Sequence, residues 1–281
     1  DASENVVNVS KSKGVDAICG FFNKDLCKSI IKKKGKAKII ISTNTMHHIE
    51  KCHEVLEGID ILLKDDGIVI LEDPYLPDML ELGSFEQIYA EHNFIWCCKS
   101  YKTLFEKYSF YLNKVEHYSI HGGSMRYFFS RENIQEQSAK KYLDLEEKIQ
   151  VSNDTTYQKF RDKSINLCNN LKNFLIEKKN EGKSVCGYGA TAKSTTLLNF
   201  AEINTSLIDC IYDSTPAKIG KLTPGTHIPI NDAATFHLKN FDYTIIFAWN
   251  LKDEIINKEK HNGAKTIWVE YVPEIKLTNA N

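Results

Sequence analysis

Four short segments of this sequence carry side chains able to do chemistry. SFEQIYAEHNF, residues 84–94, sets Tyr89, Glu91 and His92 within four residues. A phenol, a carboxylate and an imidazole so close together form an acid/base set, although the same letters suit a helix end with a capping carboxylate and an aromatic pair. TNTMHHIE, residues 43–50, places Asn44 and His48 just after an apolar run, at the edge where open α/β sheets bind ligands. Asn44 equally suits a helix cap. His48 and Cys52 stand four apart, but nothing completes a metal site around them, so no metal is expected. IHGGSMRYFF, residues 120–129, brings Ser124 and Arg126 next to Gly122-Gly123. Glycines let backbone approach a ligand and the two side chains suit phosphate oxygens, while a glycine hairpin turn explains the letters as well. GYGATAK, residues 187–193, reads G-x-G-x-x-A, with Asp213 where a ribose-binding acid would stand. A glycine turn packing a helix on a sheet gives the same pattern.

The elements that must position these groups alternate in type. DAICGFF (16–22) reads as a short strand and DLCKSIIKKKG as a helix closed by Gly35. Lys32, Lys33 and Lys34 fall in its last turn, where cations complement the helix dipole. AKIIIST (37–43) and GIVILED (67–73) are apolar, β-branched runs of the kind buried in parallel sheets. Between them, residues 45–64 show helical spacing, so the three form a βαβ unit. Residues 78–108 read as helix with interruptions. YLNKVEHYSI and SMRYFFSR flank His121-Gly122-Gly123 as a strand pair, an antiparallel edge on the sheet. Residues 133–182 contain no Pro or Gly before Gly182 and read as a helical connector. From residue 184 a second α/β pattern follows: strand KSVCGYG, helix ATAKSTTLLNFA, strand LIDCIYD, a Pro- and Gly-rich loop, strand FDYTIIFAW, helix NLKDEIINKEK and strand KTIWVEYV. Asn250 and Asp253 resemble a helix cap. The expected domains are residues 1–132, a connector over 133–183, and residues 184–281.

Composition narrows the function classes. Over 281 residues, 36 Lys and Arg meet 37 Asp and Glu, for a formal net charge of −1. The balance leaves no electrostatic footprint for nucleic acid. No apolar run approaches the roughly 20 residues of a membrane span. DASENVV has no basic-then-apolar leader, so no secretory signal is expected. The eight cysteines form no C-x-x-C pair, and several lie in apolar runs, which suits a reducing, cytoplasmic setting.

Together the segments NTMHH (44–48), FEQIYAEH (85–92), HGGSMR (121–126), GYGATAKS (187–194), TPGTHIP (223–229) and WNLKDEI (249–255) resemble one family over nearly the whole chain. It is the S-adenosylmethionine (SAM)-dependent C-methyltransferases of nucleotide-linked deoxysugars. The resemblance implies an α/β protein in which a partial class I methyltransferase (Rossmann-like) domain precedes a C-terminal Rossmann-like domain. It implies SAM as cofactor, a thymidine-diphosphate-linked 4-keto sugar as substrate, and a monomer or homodimer without nucleic acid or membrane partners. By resemblance His92 is the base that removes the proton beside the ketone. Tyr89, Glu91 and His48 would polarise the ketone or relay the proton. Asn44, Gly122, Gly123, Ser124 and Arg126 would line the sugar nucleotide pocket, Asn44 also facing the cofactor. Asp1 aligns with the acid that contacts the SAM ribose.

The family pattern Y-H-E-H reads Tyr89-Ala90-Glu91-His92 here, one imidazole fewer. The family's zinc module and first SAM-binding strand fall outside these residues. Zinc is therefore expected only in that module, and the chain by itself is expected to bind SAM poorly or not at all. Two other readings fit the same letters. One is an NAD(P)-binding oxidoreductase using GYGATAK and Asp213; the other is a sugar-nucleotide-binding protein that has lost catalysis.

Overall fold

AKIIIST and GIVILED become neighbouring parallel strands in the computed structural model, which describes residues 1–279. The chain divides into two units.

The first unit comprises Asp1–Leu76, Asn93–Ser119 and Gly123–Val151. Helices α1 (Glu4–Ser12) and α2 (Lys24–Lys34) lead into β1 (Ala37–Thr43); α3 (Cys52–Leu62) crosses to β2 (Leu63–Pro74). The Asn23 side chain accepts the Leu26 N–H, and Gly35 ends α2 at φ 78°. Helix α4 (Leu76–Leu82) follows β2 and begins at the unit boundary. Helix α5 (Cys98–Glu106) precedes β3 (Tyr111–Tyr118) and β4 (Ser124–Ser130). The sheet order is β1-β2-β4-β3, parallel at β1/β2 and antiparallel thereafter. Side chains alternate across a strand. One face therefore buries Val69, Leu71, Leu112, Tyr127 and Phe129 with Tyr101, Phe105 and Phe110 from α5 and the turn after it. The alternate residues Ile39 and Ile41 are exposed. Helix α6 (Gln137–Lys148) closes the unit, its buried Glu146 accepting the Tyr75 hydroxyl and the Cys98 and Lys99 N–H groups at the start of α5.

The second unit comprises Pro77–His92, Ile120–Gly122 and Ser152–Asn281. Helix α7 (Asp154–Asn180) is capped by the Asn153 side chain. There follow β5 (Val185–Tyr188), α8 (Ala192–Phe200), β6 (Ile211–Asp213), β7 (Ile230–Asp232), β8 (Tyr243–Ile246), α9 (Lys252–His261), β9 (Ile267–Glu270) and β10 (Lys276–Asn279). The sheet order is β10-β9-β8-β5-β6-β7, parallel except at β10. Leu167, Leu171 and Leu175 recur every four residues along α7 and bury one stripe against Val185, Ile211, Ile245 and Val269. The other face buries Tyr188, Tyr212, Phe236 and Trp268. Each fully buried side chain of this kind stabilises by about 1.5–3 kcal/mol. Chain order reverses at β5: α8 leads to β6 on one side, and β8 lies on the other. That is the topological switch point of an open α/β sheet.

The α/β class matches the sequence reading, with four local corrections. Residues 16–22 form no strand; Phe21 is 78% exposed, and the segment's backbone bonds run to Asp1, the Gly20 N–H donating to the Asp1 carbonyl and the Asp1 amino group to the Ile18 carbonyl, short of a ladder. The stretch 133–182 is two helices, broken where Gln150 takes φ 55°, so that α6 falls in the first unit and α7 in the second. Asn250 caps nothing: α9 begins after Leu251, without a side-chain cap. SFEQIYAEHNF is a short 3-10 turn (Phe85–Gln87) running into irregular chain, and the segment 77–92 belongs to the second unit. Among the described residues, no helix is long and apolar enough to cross a membrane. All eight cysteines are free thiols and all but Cys19 are buried, small hydrophobes in a packed interior.

Candidate functional site

In the first unit the polar groups gather at the carboxyl ends of β1 and β2. Asn44 takes φ 49°, a left-handed conformation that asparagine tolerates, and its N–H donates to the Glu72 carbonyl at 2.7 Å. Its side chain is exposed. The 3-10 turn Met46–His48 then points His47 inward and leaves His48 exposed. Asp73, the last acidic residue of VILED, is fully buried; it faces His47 Nδ1 at 2.5 Å and accepts the Tyr101 hydroxyl at 2.6 Å. The rings of His47 and His48 lie with centroids 4.1 Å apart.

Arg126 stands beside Glu72 and Glu116 in the strand register. Its Nε and Nη2 both bond Glu72 Oε2, at 2.8 and 2.7 Å, and Nη1 donates to the Tyr118 hydroxyl at 3.1 Å. The guanidinium also lies over the Tyr118 ring. A phosphate would have to compete with the buried Glu72 for this fork. Ser124 is buried opposite Pro74 and Tyr118, and the Gly123 carbonyl accepts the Tyr75 N–H.

Asp1 is exposed, and its carboxylate accepts the Ser3 N–H at 2.7 Å. Exposed carboxylate and amide groups suit the hydroxyl and amine donors of SAM, and Asn44 sits at the strand ends where such a ligand belongs. The residues present therefore fit the cofactor in part.

In the second unit the turn 89–92 is closed by the His92 N–H donating to the Tyr89 carbonyl at 2.9 Å. The Tyr89 and His92 rings meet with centroids 3.9 Å apart at 36°. Burial, aided by the Glu91 charge, pushes the Tyr89 phenol above its ordinary value, so it remains a hydrogen-bond donor at neutral pH. Glu91 and Ala90 are exposed.

Three residues before Tyr89, Glu86 is fully buried and its Oε1 accepts the Trp249 Nε1–H at 2.8 Å. Lys193, in the first turn of α8, lies 5.2 Å over the Trp249 ring. Gly122 lies against the same indole: at φ 85°, a Cβ there would come 2.3 Å from Trp249 Cη2. Sequence reasoning passed over His47, Asp73, Tyr101 and Glu86. Two adjacent histidines give no letter that says which one faces inward, and the partner of Glu86 lies 163 positions away.

Asp213 does end β6, as the fingerprint expects. Its Oδ2 accepts the Ala190 N–H of the glycine turn and its Oδ1 the Thr215 N–H, both at 2.8 Å. The start of α8 is closed by a reciprocal Thr191–Ser194 capping box. The Ala190, Thr191 and Ser194 amides of this turn are thus bonded within the protein.

Residues 119–273 match the C-methyltransferase C-terminal domain family. A curated relative, C-methyltransferase NovU of Streptomyces niveus, is 30% identical over 288 aligned residues that take in the whole chain and 68% of the relative. Among solved structures, magnesium protoporphyrin IX methyltransferase ChlM of Synechocystis with bound SAH is 17% identical over 47% of this chain and 62% of that one, at TM-score 0.34. The PH0226 protein of Pyrococcus horikoshii is 18% identical over 47% and 69%, at TM-score 0.33. The sequence relationships define a SAM-dependent methyltransferase. The chain belongs to the C-methyltransferase family that includes NovU.

Proposed function

We propose that the protein methylates a carbon beside the ketone of a nucleotide-linked 4-keto deoxysugar, through an enolate formed by a protein base. The observation that carries this reading is the Tyr89–His92 ring pair on one turn. An imidazole that accepts a proton stands beside a phenol held in its donor form, the two functions that enolisation of a ketone requires.

His92 takes the proton from the carbon next to the ketone, and that C–H electron pair becomes the enolate. Tyr89 donates to the ketone oxygen as negative charge develops there. Glu91 orients the base or carries its proton onward. When bound, SAM supplies the electrophilic methyl group. Asp1 and Asn44 hold the cofactor's polar groups. Gly122, Gly123, Ser124 and Arg126 line the sugar nucleotide, with Arg126 exchanging part of its Glu72 pairing for phosphate. A positioned base contributes roughly a hundred- to ten-thousand-fold in rate, and carbon alkylation further needs in-line placement away from water. The reading places the protein in the cytoplasm with a small-molecule partner, as a monomer or homodimer.

The full-length protein, given SAM with a 13C-labelled methyl group and a thymidine-diphosphate-linked 4-keto deoxysugar, tests this by NMR. The expected product carries the label on the carbon adjacent to the ketone. Labelling on oxygen, or none, overturns the reading. No separate observation favours an oxidoreductase: Asp213 already bonds Ala190 and Thr215.

A further inference from the structure

The switch point of the second unit's sheet lies outside the carboxyl ends of β5 and β8, where an open α/β sheet leaves a crevice for a ligand. The chain's own side chains fill it here. Lys193 comes from the helix after β5, Trp249 from the turn after β8, and Glu86 from the segment that carries Tyr89 and His92. Four of the six recognised segments meet at one indole: FEQIYAEH through Glu86, HGGSMR through Gly122, GYGATAKS through Lys193, and WNLKDEI through Trp249 itself.

We propose that Glu86 is a positioning residue for the reaction, anchoring the Tyr89–His92 turn to the second unit's sheet through its bond to Trp249. The inference rests on His92 being the base.

The structure supports an anchor in three ways. Glu86 stands on the 3-10 turn Phe85–Gln87, so fixing its carboxylate fixes the chain entering Tyr89. The 88–92 segment itself has no regular structure apart from the turn closed by His92 N–H and Tyr89 O, and a base on irregular chain needs an external hold. Phe85 packs beside Phe200 of α8 at 5.0 Å, so the apolar half of the anchor is in place and Glu86 supplies the directional half. The arrangement is also costly. Glu86 Oε2 has no hydrogen-bond partner among the described residues. Burial holds the carboxyl above its ordinary range and holds the Lys193 ammonium below its own, while the charge of each opposes the shift of the other. Cys168 and Tyr271 are the other titratable groups nearby. An apolar residue at 86 would avoid that cost, but could not grip the indole N–H.

The test uses the full-length protein and the variants Glu86→Ala, Glu86→Gln and Trp249→Phe. It reads the NMR signals of the His92 ring and the solvent deuterium entering the substrate without SAM. Glu86→Ala should shift the His92 ring signals and slow deuterium entry about 10- to 100-fold, with KM for SAM changing less than about twofold. Glu86→Gln should restore both, because its amide oxygen still accepts the indole N–H. If Glu86→Ala does not fold, Trp249→Phe, which removes the indole N–H together with part of the ring, should give the same shift and the same slowing, with Glu86→Gln as the control that keeps the ring packing. Unchanged His92 signals and exchange in Glu86→Ala or Trp249→Phe overturn the proposal, as does a Glu86→Gln protein as impaired as the alanine variant. A wild-type protein that exchanges no proton overturns the enolisation reading instead, and the ring signals then decide the anchor alone.

Discussion

His47 Nδ1 and Asp73 Oδ1 lie 2.5 Å apart, both nearly or fully sealed from solvent. With the Tyr101 hydroxyl on the other carboxylate oxygen, Asp73 fixes both the tautomer and the orientation of an imidazole that lies tilted at 41° beside the His48 ring. Aspartate–histidine pairs do the same for a base in hydrolases. The His47 ring and the Tyr101 hydroxyl both lean on this one buried carboxylate, so altering it strands buried polar groups. Asp73→Asn, which keeps one acceptor oxygen and loses the other, should therefore destabilise the protein by about 1–3 kcal/mol, and Tyr101→Phe by a similar amount, both read by urea unfolding. A loss below about 1 kcal/mol for Asp73→Asn would contradict a buried, shared carboxylate.

Gly122 carries no side chain because Trp249 occupies its place. Gly122→Ala sets a Cβ into the indole at a backbone angle disfavoured for alanine. It should cost about 1–3 kcal/mol or more and change Trp249 emission. An alanine variant as stable as wild type, with unaltered fluorescence, would show that the two do not touch.

Asp213 has a stability contribution whose pH dependence can be signed. Burial raises its carboxyl, but the Thr215 and Ala190 bonds and the Lys218 charge outweigh that and leave it below the ordinary range. A depressed folded value means the contribution is complete above the unfolded value, near 3.9, and is lost as pH falls through the folded one. The stability gap between wild type and Asp213→Asn should be constant near neutral pH and close below about pH 4. A gap that widens with acid would refute the assignment.

Glu86 has the opposite sign. Burial, resisted by the Trp249 bond, raises its carboxyl, so the folded state holds its proton more firmly than the unfolded chain does. Stability is then lost as pH rises from the unfolded value, about 4.3, through the folded one. Glu86→Gln keeps the indole bond without the charge, and it should gain stability relative to wild type across that window. Parallel pH profiles for the two proteins would count against a buried acid.

The sequence was most legible where residues are β-branched and apolar. β1, β2, the β3/β4 pair and strands β5, β6, β8 and β9 of the second unit follow from such runs and the glycine turns beside them. β7 and β10 were missed because three or four residues at a sheet edge, such as KLTN, carry no apolar period. Residues 16–22 have the right composition for a strand, but their backbone bonds run to Asp1 and build no ladder. The break between α6 and α7 hangs on Gln150 in a left-handed conformation that its side chain does not announce. At the candidate site the ring pair Tyr89–His92 could be read from spacing, since four residues on one turn are local. Asp73, Tyr101 and Glu86 could not, because their roles come from partners 26, 28 and 163 positions away.

Deuterium exchange at the carbon beside the ketone, followed by mass spectrometry in heavy water with full-length wild type and His92→Ala, tests the account most directly. Wild type should exchange that proton without SAM, and His92→Ala should do so at least about a hundredfold more slowly. Exchange at the wild-type rate in His92→Ala would show that some other group removes the proton.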